Sequence, residues 1–252
     1  MPRIHAPLRA LLSNLIDYAG LFPPAQLPLP SVIENYERVL ASPESWMLNR
    51  LVLPAAKLKE ITLQQHWRVT LLVDSEPGPL PRQVETLETN LPHKLSLPTY
   101  CEVPVEEVTD GFAKLRTGGI KSESIPSTTE VAAFLCIAAS RPMAFKATAG
   151  LHHAIRSFQR SSEGNDTLAH GFLNLFVAAA FAWQGMEQHA IVTILEESDP
   201  GAFRFLDSEL RWRGSSLTTD QIESSRLHFA HSFGSCSFEE PITDLHELGP
   251  LP

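Results

Sequence analysis

Apolar residues in this chain fall into short runs of strand length separated by polar, helix-patterned segments. The runs predict strands over Leu15–Leu21, Arg50–Ala55, Arg68–Asp74, Leu95–Val103, Phe112–Thr117, Met143–Thr148 and His228–Ser232. Helical spacing predicts helices over Ser31–Leu40, Arg82–Thr89, Thr128–Ser140 and Thr167–Trp183. Two helix starts carry capping signals. Ser127 stands three residues before Glu130, the pattern of a capping box, and Asp166 is placed to cap the long apolar helix. Near-continuous apolar strands alternating with helices predict a parallel sheet covered on both faces. Seven candidate strands in this order predict an α/β fold like the TIM barrel, with one strand hidden or lost; a doubly wound open sheet is the alternative. No G-x-G-x-x-G follows the first strand, which counts against the open sheet.

The chain of 252 residues is expected to form one barrel-like domain over 1–252. Within it, 151–225 reads as an insertion. It carries the long helix, a second helix near Glu187–Glu197 and a hairpin-like stretch from Arg204 to Gly214. This insertion is expected to cap the site or to form a homo-oligomer contact.

A formal charge of −9 argues against general binding to nucleic acid or anionic membrane, so an anionic ligand would need a local cluster of cations. Cys101, Cys136 and Cys236 are widely spaced, with no C-x-x-C pair, which predicts neither a disulfide framework nor a zinc site. The N-terminus lacks the apolar run and cleavage site of a secretory leader. The apolar stretch from Gly171 to Trp183 is too short to span a bilayer. A cytoplasmic protein with no membrane partner is the expectation.

The chemistry concentrates in two segments. In Phe112-Ala-Lys-Leu-Arg-Thr-Gly-Gly119, Lys114 and Arg116 share one side of a strand, because side chains alternate with period two. The turn Thr117-Gly118-Gly119 could then present backbone N–H groups to an anion. The next strand repeats the plan with Lys146 and Thr148, followed by Gly150, His152 and His153. The spacing of Lys114 and Lys146 fits one strand–helix–strand unit, so the two lysines are expected on adjacent strands at similar height. A lysine with an ordinary pKa of about 10.4 must come down to about 7 to attack a carbonyl at neutral pH, which costs about 4.6 kcal/mol. Burial and neighbouring cations supply such a change. Two uses of these residues stand side by side: Schiff-base chemistry, or fixed charges that hold a phosphate or carboxylate. One of His152 and His153 is expected to serve as a proton donor or acceptor at the site. His170 and Asn174 are expected to form core hydrogen bonds.

Four patches in order resemble the deoxyribose-phosphate aldolases, class I lysine aldolases with a TIM-barrel fold. They are the opening strand Leu15-Ile-Asp-Tyr-Ala-Gly-Leu-Phe-Pro-Pro-Ala25, the K-x-x-T-G segment at Lys114, the strand Phe145-Lys-Ala-Thr-Ala-Gly-Leu151 and the turn Phe233-Gly-Ser-Cys-Ser-Phe238. The resemblance implies a lyase in which Lys114 forms an imine with a small carbonyl compound, with a phosphorylated sugar among the candidates and no cofactor or metal required. It implies Lys146 as the partner that tunes Lys114, and Asp17 in the barrel mouth. Gly150, Ser235 and Ser237 would lie around a phosphate or polar tail. The family places a proton-shuttling aspartate on its fourth strand. No strand stands out between Asp74 and Leu95, and Glu102, at the end of Tyr100-Cys101-Glu102, is the substitute. A non-catalytic protein that binds a sugar phosphate or carboxylate through Lys114, Arg116 and Lys146 is the rival expectation.

Overall fold

The computed structural model describes residues 4–119, 124–160 and 166–251. The first seven strands are β1 (Ile16–Tyr18), β2 (Leu48–Pro54), β3 (Val69–Leu72), β4 (Val84–Thr89), β5 (Thr99–Cys101), β6 (Phe112–Arg116) and β7 (Phe145–Thr148). A hairpin of β8 (Ser157–Arg160) and β9 (Asp166–Ala169) and a three-stranded antiparallel sheet of β10 (Phe203–Phe205), β11 (Glu209–Trp212) and β12 (Ser215–Thr218) follow. The last strand is β13 (Ala230–Ser235). Strands β1 to β7 and β13 pair in parallel and close into an eight-stranded barrel, with β13 between β7 and β1. The α/β barrel expected from the sequence is therefore present, and it is complete.

The strand that escaped the sequence pattern is β4. Residues 82–89 have helix formers and an apolar pair at Val84 and Leu87, which mimic helical spacing. In the barrel the same residues alternate with period two, and Thr86 and Glu88 are buried polar positions. Thr86 Oγ1 hydrogen-bonds Thr70 Oγ1 on β3 at 2.7 Å. Buried parallel strands ordinarily read as continuous apolar runs, and a strand with polar residues in the interior does not.

Helices α1 (Ala6–Leu12), α2 (Leu29–Leu40), α3 (Thr128–Ser140), α4 (Phe172–Trp183), α5 (Gln188–Leu195), α6 (Thr219–His228) and α7 (Glu239–Glu247) cover only part of the barrel. The connections β3–β4, β4–β5 and β5–β6 contain no α-helix. Prolines at 77, 79 and 81, then 92, 98 and 104, punctuate these links, and proline removes a backbone donor and breaks helical continuation. Helix α3 begins at the capping box seen in the sequence: Ser127 Oγ accepts from Glu130 N, and the Glu130 carboxylate accepts from Ser127 N.

Helix α4 is buried on nearly every side, as an all-apolar helix must be, and packs on α3, α5, α6 and β13. Phe172, stacked at 5.3 Å on Phe233, joins it to the barrel wall. Its start corrects the expected helix over 167–183. Residues 166–169, including Asp166, belong to strand β9, and Gly171 is the residue that caps α4. Asn174 is the expected core polar residue, donating to Ile194 O at 2.9 Å and Glu197 O at 2.8 Å. His170 lies just before the helix and is engaged by Pro126 O at 2.7 Å from Nε2.

The region 151–225 is not a single cap. Helices α4 and α6 pack against β13 as part of the outer layer, and the β10–β12 sheet packs on α1 and α6. Among the described residues of this region, Leu151 and His152, which follow the β7 turn, and the β8–β9 hairpin reach the open end of the barrel. At the opposite end Arg226, buried at the end of α6, donates to the carbonyls of Ala230, His231 (2.5 Å), Ser13 (3.0 Å) and Asn14 (3.3 Å). One guanidinium thereby ties α6 to the first residues of β13 and to the lead-in to β1.

Candidate active site

A cavity of about 830 Å³ opens at the C-terminal ends of the barrel strands. Its wall contains the residues that follow each strand, among them Ala19 after β1, Asp74 after β3, Asn90 after β4 and Glu102 after β5. Active sites of barrels of this class lie at this face.

Lys114 and Lys146 are paired in register across β6 and β7, at one height as their spacing predicted. They stand within the strands rather than at their ends. Between them lies Glu88, an acid on β4 outside the sequence expectations. Its Oε2 is 2.8 Å from Lys114 Nζ, and its Oε1 contacts Lys146 Nζ. Lys146 Nζ also meets Asp17 Oδ2 at 2.5 Å, and Asp17 is held by Asn49 Nδ2 at 2.7 Å and Ser232 Oγ at 2.8 Å. On the other side Lys114 Nζ meets Glu102 Oε2 at 2.6 Å, and Glu102 Oε1 accepts from Arg116 Nε at 2.7 Å.

The result is a chain of alternating charge: Asp17, Lys146, Glu88, Lys114, Glu102, Arg116. Side-chain exposure rises along it, from 1% at Asp17 and Lys146 through 7% at Lys114 and 17% at Glu102 to 50% at Arg116. Asp17 lies behind the cavity wall, Lys146 and Glu88 form its most buried part, and Lys114, beside Glu102, is the more exposed of the two amines. Burial opposes the charge on Glu88, but the ammonium groups of Lys146 and Lys114 outweigh it and hold its pKa down to about 2. Burial likewise opposes the charge on Lys146, and Asp17 and Glu88 outweigh it, raising its pKa above the ordinary lysine value. Lys146 is a fixed cation. Its ammonium stands 5.6 Å from the centre of the Tyr100 ring.

This arrangement corrects one expectation. Lys146 and Arg116 were expected to act on Lys114 directly, yet a carboxylate stands between Lys114 and each of them. The three cations are not three spare charges. Each already has an acid partner.

The remaining predicted residues divide into those that line the cavity and those that support it. Arg116, Gly118, Gly119, Thr148, Gly150, His152 and Ser235 line it. Thr117 does not: its hydroxyl donates to Ala149 O at 2.6 Å, and its N–H donates to Thr148 O at 2.9 Å, fastening the β6 turn to the β7 turn. The Thr117 N–H is therefore not available to an anion. Gly118 is needed for close packing instead, since a Cβ there would come within 2.8 Å of Gly150 Cα. His152 Nδ1 pairs with Glu240 Oε2 at 2.9 Å. His153 lies outside the cavity wall, against Asp244 Oδ1 at 3.2 Å, and that hydrogen bond pushes its pKa up. Ser237 is also outside: its Oγ accepts from Glu240 N at 3.2 Å at the start of α7. Among the described residues no cluster of three or more His, Cys, Asp or Glu side chains is arranged to hold a metal ion. No helix among them is long and apolar enough to cross a membrane.

No family model, curated protein or solved structure matches this chain. Its chemistry must be read from its own residues.

Glu88, Asn49 and Ser232 complete the site and were absent from the sequence expectations. For Glu88 the signal was there: Val84, Thr86 and Glu88 alternate between proline-bounded links, which suits a strand as well as a helix. Asn49 and Ser232 carry no such signal. Only barrel closure brings them to Asp17.

Proposed function

We propose that this protein is a class I aldolase-type lyase in which Lys114 forms an imine with a small carbonyl compound. The observation that carries the proposal is the contact between Lys114 Nζ and Glu102 Oε2 at 2.6 Å on the floor of the C-terminal cavity. A lysine nucleophile needs a nearby base to take its proton and return it.

Lys114 passes a proton to Glu102, and the free amine attacks the carbonyl carbon. The proton returns to the new hydroxyl, which leaves as water and produces the iminium. A β-hydroxyl then gives up its proton, the carbon–carbon electron pair flows into the iminium, and the second carbonyl product departs. The enamine left on Lys114 takes a proton at its α-carbon, and water releases the remaining product. Glu102 suits the proton-moving role because it reaches the cavity. Glu88 does not, because two ammonium groups hold it ionised. Glu88 and Asp17 instead keep Lys146 charged beneath the reacting amine.

Enamine formation is measurable without knowing the full reaction. In D₂O, with acetone, acetaldehyde and dihydroxyacetone as probes, the protein is expected to introduce deuterium at the α-carbon, followed by NMR. Lys114→Met abolishes the exchange, and Glu102→Gln slows it by about 100-fold or more. Absence of exchange with every probe contradicts the proposal.

A further inference from the structure

The outer end of the cavity is formed by the turns after β7 and β13, beside the start of α7. Barrels of this architecture frequently hold a phosphate group in this place, using backbone N–H groups and a helix N-terminus. Here the groups at that end are of the wrong kind. Glu239 and Glu240 occupy the first turn of α7. The N–H of Glu240 is already taken by Ser237 Oγ, and the Ser235 hydroxyl donates to Ser237 O at 2.6 Å. The bare faces of Gly118 and Gly150 are turned on each other, at a distance that leaves no space for a side chain. His152 is committed to Glu240, and Lys114, Lys146 and Arg116 are each neutralised by an acid. Among the described residues of the cavity wall, a phosphate dianion would find no lysine or arginine without an acid partner.

The facing wall offers a neutral donor. Gln159, on β8, lines the cavity, and its buried amide Nε2 has no hydrogen-bond partner among the described residues. A buried N–H left unpaired is costly, and an acceptor oxygen on a ligand relieves that cost. We infer that the compound captured at Lys114 is an uncharged hydroxyaldehyde or hydroxyketone, with a hydroxyl oxygen received by Gln159 and no phosphate. This rests on the imine chemistry proposed for Lys114 and narrows its substrate.

The test is borohydride capture with glyceraldehyde, glyceraldehyde 3-phosphate and propanal at equal concentration. Adducts at Lys114 are counted by peptide mass spectrometry, and each rate is divided by that of the same aldehyde with N-acetyl-lysine methyl ester. Glyceraldehyde is expected to outpace its phosphate by about tenfold or more. Glu240→Gln narrows that gap, and Gln159→Ala slows glyceraldehyde more than it slows propanal. Capture of the phosphate as fast as glyceraldehyde, or faster, overturns the inference and leaves the imine chemistry standing. Equal slowing of glyceraldehyde and propanal by Gln159→Ala overturns the role of Gln159. No adduct at Lys114 from any of the three compounds overturns the inference together with the imine chemistry.

Discussion

Lys146 and Lys114 differ in what their loss would leave behind. Without Lys146, Asp17 loses its only ammonium partner among the described residues, and Glu88 loses one of two there. Removing one partner of a buried ion pair costs about 3–5 kcal/mol. Lys146→Met is therefore expected to lower unfolding stability by that amount in urea titration. Lys114→Met leaves Glu88 with Lys146 and Glu102 with Arg116, so a loss of about 1 kcal/mol is expected. Equal losses would mean that the two lysines are not divided into a buried support and an accessible nucleophile. Acid provides a second check. Glu88 has a pKa of about 2 in the fold against an ordinary 4.5, so its contribution is full above 4.5 and is lost as pH falls toward 2. Between pH 5 and 3 the urea midpoint of Glu88→Gln is expected to fall less than that of the parent protein.

At the scale of elements, the lysine strands β6 and β7 were legible because each is a short apolar run interrupted by a single lysine. Strand β4 was not, because its interior residues are polar and its formers are shared with helices. Its burial is decided by closure of the barrel, a non-local event that no window of sequence records. The start of α4 was misplaced for the converse reason. The apolar pattern runs on through Leu168 and Ala169, and pairing with β8 decides that these residues are a strand. The glycines of the mouth were legible as special, but their reason was not. Gly118→Ala puts a Cβ 2.8 Å from backbone and is expected to cost about 1–3 kcal/mol. Gly234→Ala would meet only Thr148 Oγ1 at 3.6 Å, an ordinary contact, and is expected to be the milder change in thermal unfolding. A reversed order would show that the β6 and β7 turns do not depend on that close approach.

In the whole molecule, a barrel with few outer helices between β3 and β6 still holds a six-member charge chain, because the chain is anchored on strands from all sides. Asp17 comes from β1, Glu88 from β4, Lys114 and Arg116 from β6 and Lys146 from β7, with Glu102 just after β5. Five of these six members were candidates in the sequence, Asp17 and Glu102 through the family resemblance. The sixth, Glu88, is the one that joins the buried half to the exposed half. In the proposed reaction Lys114 is the member that meets a substrate, and Lys146, the more buried of the two, supports it. Reduction with borohydride in the presence of glyceraldehyde tests that division most directly. A single stable adduct at Lys114 is expected, located by peptide mass spectrometry and absent from Lys114→Met, with Lys146 unmodified. An adduct at Lys146, or none at Lys114 under conditions that modify a free amine, would contradict it.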